Sequence, residues 1–152
     1  MKKTISFLIA GLTLGIGGVT HAQKGPQVPD MKPGKYAYNI EMNNPALPFK
    51  MPAINFSQCV TAKDLDEGRA FQSQKDAGVD CTYSNSKSSP GAFQFSAACK
   101  MKGGMTMEAD YDGKVAGNTV TMNVKQKMTG GEIPDAMRNS TMKMVMTREG
   151  NC

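Results

Sequence analysis

The chain holds no tryptophan and a single histidine in 152 residues. That histidine, His21, lies in a segment expected to be removed, so the mature protein is left without a side chain that titrates near neutrality. Triads that rely on an imidazole base are thereby excluded. No phosphate-binding glycine loop and no nucleophile elbow occurs, and no carboxylate pair stands out. Large aliphatic residues are scarce too: from Gln23 onward there are two Leu and three Ile. No Cys-x-x-Cys pair is present, which argues against a zinc site. After residue 22 there is no further long apolar run.

What is present begins with a leader. Lys2 and Lys3 form a positive start, Ile5 to Val19 an uncharged apolar run, and Thr20-His21-Ala22 a small-residue cleavage site. Residues 1–22 therefore read as a Sec-type signal peptide, cut before Gln23. The run is short of the about 20 apolar residues that span a bilayer and is broken by four glycines. No membrane anchor is expected after cleavage. The mature chain keeps 13 acidic and 16 basic residues, a net charge of +3. That excess is small and dispersed, so neither nucleic acid nor anionic lipid is an expected partner.

The four cysteines, Cys59, Cys81, Cys99 and Cys152, all remain after cleavage. An even count in an exported chain reads as two disulfides. Val79 to Tyr83 and Phe93 to Cys99 alternate apolar with polar residues, and turn formers fill Asn85 to Gly91. Folding back about Pro90 sets Cys81 opposite Cys99, on a face shared with Val79, Tyr83, Phe93 and Phe95. By elimination Cys59 pairs with Cys152. Closing the short loop stabilises by roughly 3 kcal/mol and the long one by about 4–5 in the chain-entropy picture. With the thiols oxidised, no thiolate nucleophile remains.

The pattern along the mature chain is strand-like. Residues 23–33, with Pro26, Pro29 and Pro33, read as a flexible leader, and 34–152 as one domain. Tyr36, Tyr38, Ile40 and Met42 share one strand face, with Lys35, Asn39 and Glu41 on the other. Pro45, Pro48 and Pro52 exclude a strand or helix interior there, and Phe49 and Met51 are expected to close over the core as a lid. Ile54 to Val60 is a second strand. Thr61 to Asp64 resembles a capping box opening a short helix to about Lys75, weakened by Gly68. An acidic helix start also explains Asp64-Leu65-Asp66-Glu67-Gly68 better than a calcium loop, whose later ligands are missing. Alternation resumes over Met105 to Tyr111, Val120 to Val124 and Met142 to Met146, with turns at Asp112-Gly113 and Gly117-Asn118 and a loop over Gly130 to Asp135. The sum is a mostly β protein of about seven antiparallel strands with one short helix, a small meander barrel or sandwich.

Methionine is the compositional oddity, with 12 in the mature chain. Core packing is the favoured reading, since little Leu or Ile is available and Met fills gaps well. Two alternatives attach to it. Met142, Met144 and Met146 aim three thioethers in one direction, a donor set suited to Cu(I). A methionine-lined interior would instead hold an apolar small molecule. Lys125, Lys127, Lys143, Arg138 and Arg148 are expected on one outer face, solvated by default and attractive to an acidic partner otherwise.

Several short signatures, in order, resemble the exported bacterial family called domain of unknown function 3617. They are Pro33-Gly34-Lys35-Tyr36, with Tyr where the family usually has Trp; a proline- and methionine-rich stretch over Asn44 to Pro52; Cys59-Val60-Thr61 before an acidic segment; Cys81; a hairpin ending in Cys99; and Gly150-Asn151-Cys152. The resemblance implies a small, mostly β periplasmic protein and supplies no activity, cofactor or catalytic residue. The expected function is thus non-enzymatic binding or structural interaction in the periplasm, without a cofactor, toward an unknown protein or an apolar small molecule.

Overall fold

A computed structural model describes residues 25–70 and 79–152. The expected signal peptide lies outside the described residues. The elements are β1 (Gly34–Asn43), β2 (Ile54–Val60), α1 (Ala62–Asp66), β3 (Asp80–Ser89), β4 (Ala92–Lys100), β5 (Thr106–Ala116), β6 (Thr119–Thr129) and β7 (Asn139–Gly150), with a 3-10 turn at Asp135–Met137 before the last strand. The strands form one antiparallel sheet in the order β2-β1-β7-β6-β5-β4-β3. Short connections force hairpin neighbours from β3 to β7. One long-range pairing, β1 on β7, then joins the start of the domain to its end. The mostly β meander of seven strands with one short helix is what alternation predicts. Its form is a single sheet with β2 and β3 as edges, where a barrel would pair them and a sandwich would split the strands into two layers.

Alternation fixes which residues face in. Tyr36 and Tyr38 of β1, Phe93 and Phe95 of β4, Ala109 of β5, Val120, Met122 and Val124 of β6, and Met144 and Met146 of β7 form one buried cluster. Met146 is fully buried, in register between Tyr38 and Val120. Methionine thus occupies the centre of the core, where each large side chain removed from water stabilises by about 1.5–3 kcal/mol. Tyr36 shows how an aromatic with a polar tip is accommodated: its ring is buried and its hydroxyl donates to the Lys32 carbonyl at 2.7 Å.

The inner face is covered by α1 and by the segment before β1. Thr61 caps α1 as the sequence predicts. Its hydroxyl accepts from Asp64 N at 3.1 Å, and the Asp64 carboxylate accepts from Thr61 N at 2.9 Å. The helix is shorter than the expected run to Lys75, because Gly68 adopts φ +65 and ends it. Residues 71–78, including Phe71, lie outside the described residues. A leader separate from the fold was expected over 23–33. Instead Met31 is buried in the core, Val28 packs against it, Gly25 N donates to the Glu67 carbonyl at 3.1 Å, and Asp30 accepts from Gly91 N at 3.1 Å. Prolines prevented a strand there but not docking onto the exposed side of the core.

Three local readings change. Asp112-Gly113 is not a turn: β5 runs straight through it, and the turn falls at Gly117-Asn118. Gly113 sits there because the Phe93 ring of the paired strand occupies the space a Cβ would take. Val79 precedes β3 and is exposed, since the strand starts at Asp80. Phe49 is no lid on the core. It stands 64% exposed, and Met51 turns to the outer face.

Candidate functional site

The β3–β4 connection is a tight turn at Pro90-Gly91, with Ser89 opposite Ala92 and Lys87 opposite Gln94. Continued without interruption, that register would set Cys81 against Lys100. A bulge between Ser84 and Lys87, with Asn85 at φ 54, adds one residue to β3. Cys81 then meets Cys99 directly, at disulfide geometry with Cα atoms 4.0 Å apart. Cys59 and Cys152 are likewise joined, with Cα atoms 5.8 Å apart across 93 residues of sequence. The first bridge is on the inner face, with Cys99 2% exposed, and the second is exposed. Beyond them, no group of three or more His, Cys, Asp or Glu side chains converges among the described residues.

Met142, Met144 and Met146 do share one face, as the alternation predicts. Their neighbours on β6 are Val124, Met122 and Val120, and on β1 Met42, Ile40 and Tyr38. Met144 and Met146 are buried within this apolar cluster and Met142 packs against it. Met144 and Met146 therefore act as core side chains, while Met142 at the border of the cluster is only partly buried and also lines the recess described next.

The outer face carries the recesses instead. The main one, of about 610 Å³, lies where the β1–β2 connection meets β1, β7 and β6. Asn44 shapes that connection. It is buried, its side-chain oxygen accepts from Ala46 N at 3.0 Å, and its carbonyl accepts from Leu47 N at 3.1 Å. Three prolines follow, and the segment brings Lys50, Met51 and Ala53 to the cleft. The sheet contributes the outward side chains Glu41, Lys143, Asn123 and Lys125, with Asn43 and Thr141 beside them. Lys143 is directly opposite both Glu41 and Asn123, while Lys125 is opposite Thr141, so the two lysines are diagonal neighbours.

Both signs of charge meet at this cleft, but its lysines are unpaired among the described residues. Asp110 lies opposite Lys125 on β5, but its carboxylate accepts from the Ser96 hydroxyl at 2.8 Å. Asp112 is held by Gln94 Nε2 at 2.6 Å. Among the described residues, no carboxylate lies within ion-pair distance of Lys50, Lys125 or Lys143, whereas Lys35 has Glu149 at 3.2 Å and Lys63 has Glu67 at 3.8 Å. The expected basic face of five residues thus divides. Lys125 and Lys143 enter the cleft, and Lys127 lines a neighbouring depression with Glu108 and Asp110. Arg138 pairs with Asp135 at 2.6 Å, and Arg148 donates to the Pro33 carbonyl at 2.9 Å and to Asn151 at 2.8 Å. Lys50 was not anticipated. It lies in a stretch without periodicity, and only the turn signal Asn43-Asn44-Pro45 hinted that the stretch was ordered.

A single antiparallel sheet with a one-sided core, two bridges and a cationic cleft on its open face defines the class of protein. The particular group follows from the sequence. Residues 31–152 match the family described as "Protein of unknown function (DUF3617)", and the chain belongs to it. No curated protein and no solved structure matches.

Proposed function

We propose that this is an exported periplasmic protein that acts by binding, without catalysis, and that its binding surface is the outer-face cleft between the β1–β2 connection and strands β1, β7 and β6. The observation that carries the reading is the contrast between the two faces. The inner face is filled by its own side chains, while the cleft presents lysines that lack carboxylate partners among the described residues. The signal-peptide pattern supports export, and the cysteine pairs at disulfide distance suit an oxidising compartment. Lysines held with amides and a hydroxyl form a recognition surface, and a pocket of this size accommodates a small ligand.

The test is a backbone and methyl NMR titration of the mature protein, recovered from a periplasmic fraction, with a small-molecule extract of that compartment. The expected outcome is an intact mass beginning at Gln23, with shifts gathered at 41–53, 123–125 and 141–143. Shifts gathered at Val120, Met122 and Met144 would transfer the function to an apolar carrier. Methyl shifts of Met142, Met144 and Met146 on adding Cu(I) would transfer it to copper. No shift at the cleft ends the proposal.

A further inference from the structure

Resting on the cleft reading above, we infer that the ligand is an oxyanion of the phosphomonoester class, held by Lys50, Lys125 and Lys143. The argument starts from charge. Three lysines against Glu41 leave a formal excess of +2 at the cleft, and a phosphomonoester carries about −1.5 to −2 near neutral pH. The two sheet lysines are fixed by register: Lys143 stands two residues along β7 from Thr141, the partner of Lys125. Diagonal positions of this kind lie about 7–8 Å apart at Cα, so the flexible ammonium groups can meet on one polyatomic anion. Lys50 approaches from the third side on a connection stiffened by Pro45, Pro48 and Pro52.

The neighbouring strand supports the assignment. Asp110 and Asp112 border the cleft on the next strand and keep their charge, but they are hydrogen-bonded by the Ser96 hydroxyl and the Gln94 amide and make no ion pair with a cleft lysine among the described residues. Asn123, Asn43 and Thr141 add side-chain donors at the rim. Lysine suits this task as a compact, strongly hydrated charge that meets phosphate without the flat, two-pronged geometry an arginine imposes. The apolar lining from the connection, Met51 and Ala53, leaves room for a small organic body beside the phosphate.

The same chemistry arises from a soluble phosphate ester or from a lipid headgroup, and two arms separate them. The mature protein is titrated with glycerol 3-phosphate by NMR, and in parallel sedimented with phosphatidylcholine vesicles containing phosphatidic acid. Binding in the first arm alone assigns a soluble ester, and binding that needs the vesicle assigns a headgroup. In either case Lys125→Gln with Lys143→Gln weakens binding by at least about fivefold, as two lost charge contacts predict. Lys102→Gln, on the exposed β4–β5 turn, leaves it unchanged. Intact mass with both bridges and an unaltered melting temperature show that the double variant is folded. Failure of both arms, or equal binding by the double variant, overturns the phosphate assignment. If the periplasmic extract still shifts the cleft, the binding surface survives that failure and only its ligand class is lost.

Discussion

Gly113 and Phe93 illustrate how one residue's absence of a side chain serves another's bulk. The ring of Phe93 covers the glycine on the paired strand, at the position a Cβ would take. Gly113→Ala is expected to destabilise by about 1–3 kcal/mol through overpacking, read as a lowered midpoint in urea unfolding. Asp64 supplies a pH-dependent counterpart. The Thr61 hydroxyl foremost, then the Thr61 backbone N–H, hold its carboxyl below the usual carboxylate range. A depressed folded pKa means the contribution is complete above the unfolded value and is lost as pH falls through the folded one. Stability should therefore decline below about pH 4. Thr61→Ala should cost about 1 kcal/mol near neutrality by loss of the cap, and should raise the Asp64 pKa when followed by carbon-detected NMR. Both features show the reach of sequence reasoning. The Thr61–Asp64 box was legible because capping is local. Asp112-Gly113 misled because an identical dipeptide makes a turn or a strand according to what lies across from it.

At the level of elements, β3 and β4 depend on the bulge at Asn85. A side-chain period of two means that one residue of slip exchanges the faces of a strand. The pairing of Cys81 with Cys99 was legible from a pivot near Pro90. The means was not: the tight turn at Pro90-Gly91 gives the wrong register by one, and the left-handed Asn85 corrects it. Deleting Asn85 removes the extra residue itself, so the ladder should run on from the turn without a bulge and keep Cys81 opposite Cys99. The expected outcome is no reactive thiol in a denaturing thiol assay of protein purified without reductant, as for the parent. Two reactive thiols per molecule in the deletion variant would show that the turn, and not the bulge, had shifted to absorb the change. The strands themselves were readable from alternation, whereas the docking of residues 25–33 and the course of the β1–β2 connection were not. Both lack a period, and their positions are set by contacts distant in sequence, such as Asp30 with Gly91 and Gly25 with Glu67.

For the whole molecule, the two bridges differ in access to solvent. Cys99 is buried on the inner face, while Cys59 and Cys152 are exposed. Thiol exchange requires approach to the sulfur. Brief treatment with a mild reductant, followed by alkylation and peptide mapping, should label Cys59 and Cys152 before Cys81 and Cys99. Simultaneous labelling of all four would mean that opening the outer bridge unfolds the domain. The candidate site belongs to this scale as well. Lys125 and Lys143 were legible as outward-facing residues, but their convergence with Lys50 required a connection of no regular structure to cross the sheet.

The placement of the bridges has a mechanical consequence. A sheet that does not close on itself has two borders from which it can peel. Here the border strand β2 is tethered past β1 to the chain's last residue, and the border strand β3 to its inner neighbour β4. Fraying from either side thus meets a covalent stop after a single strand, and the rows of unpaired backbone at the two hems stay attached to the fabric they edge.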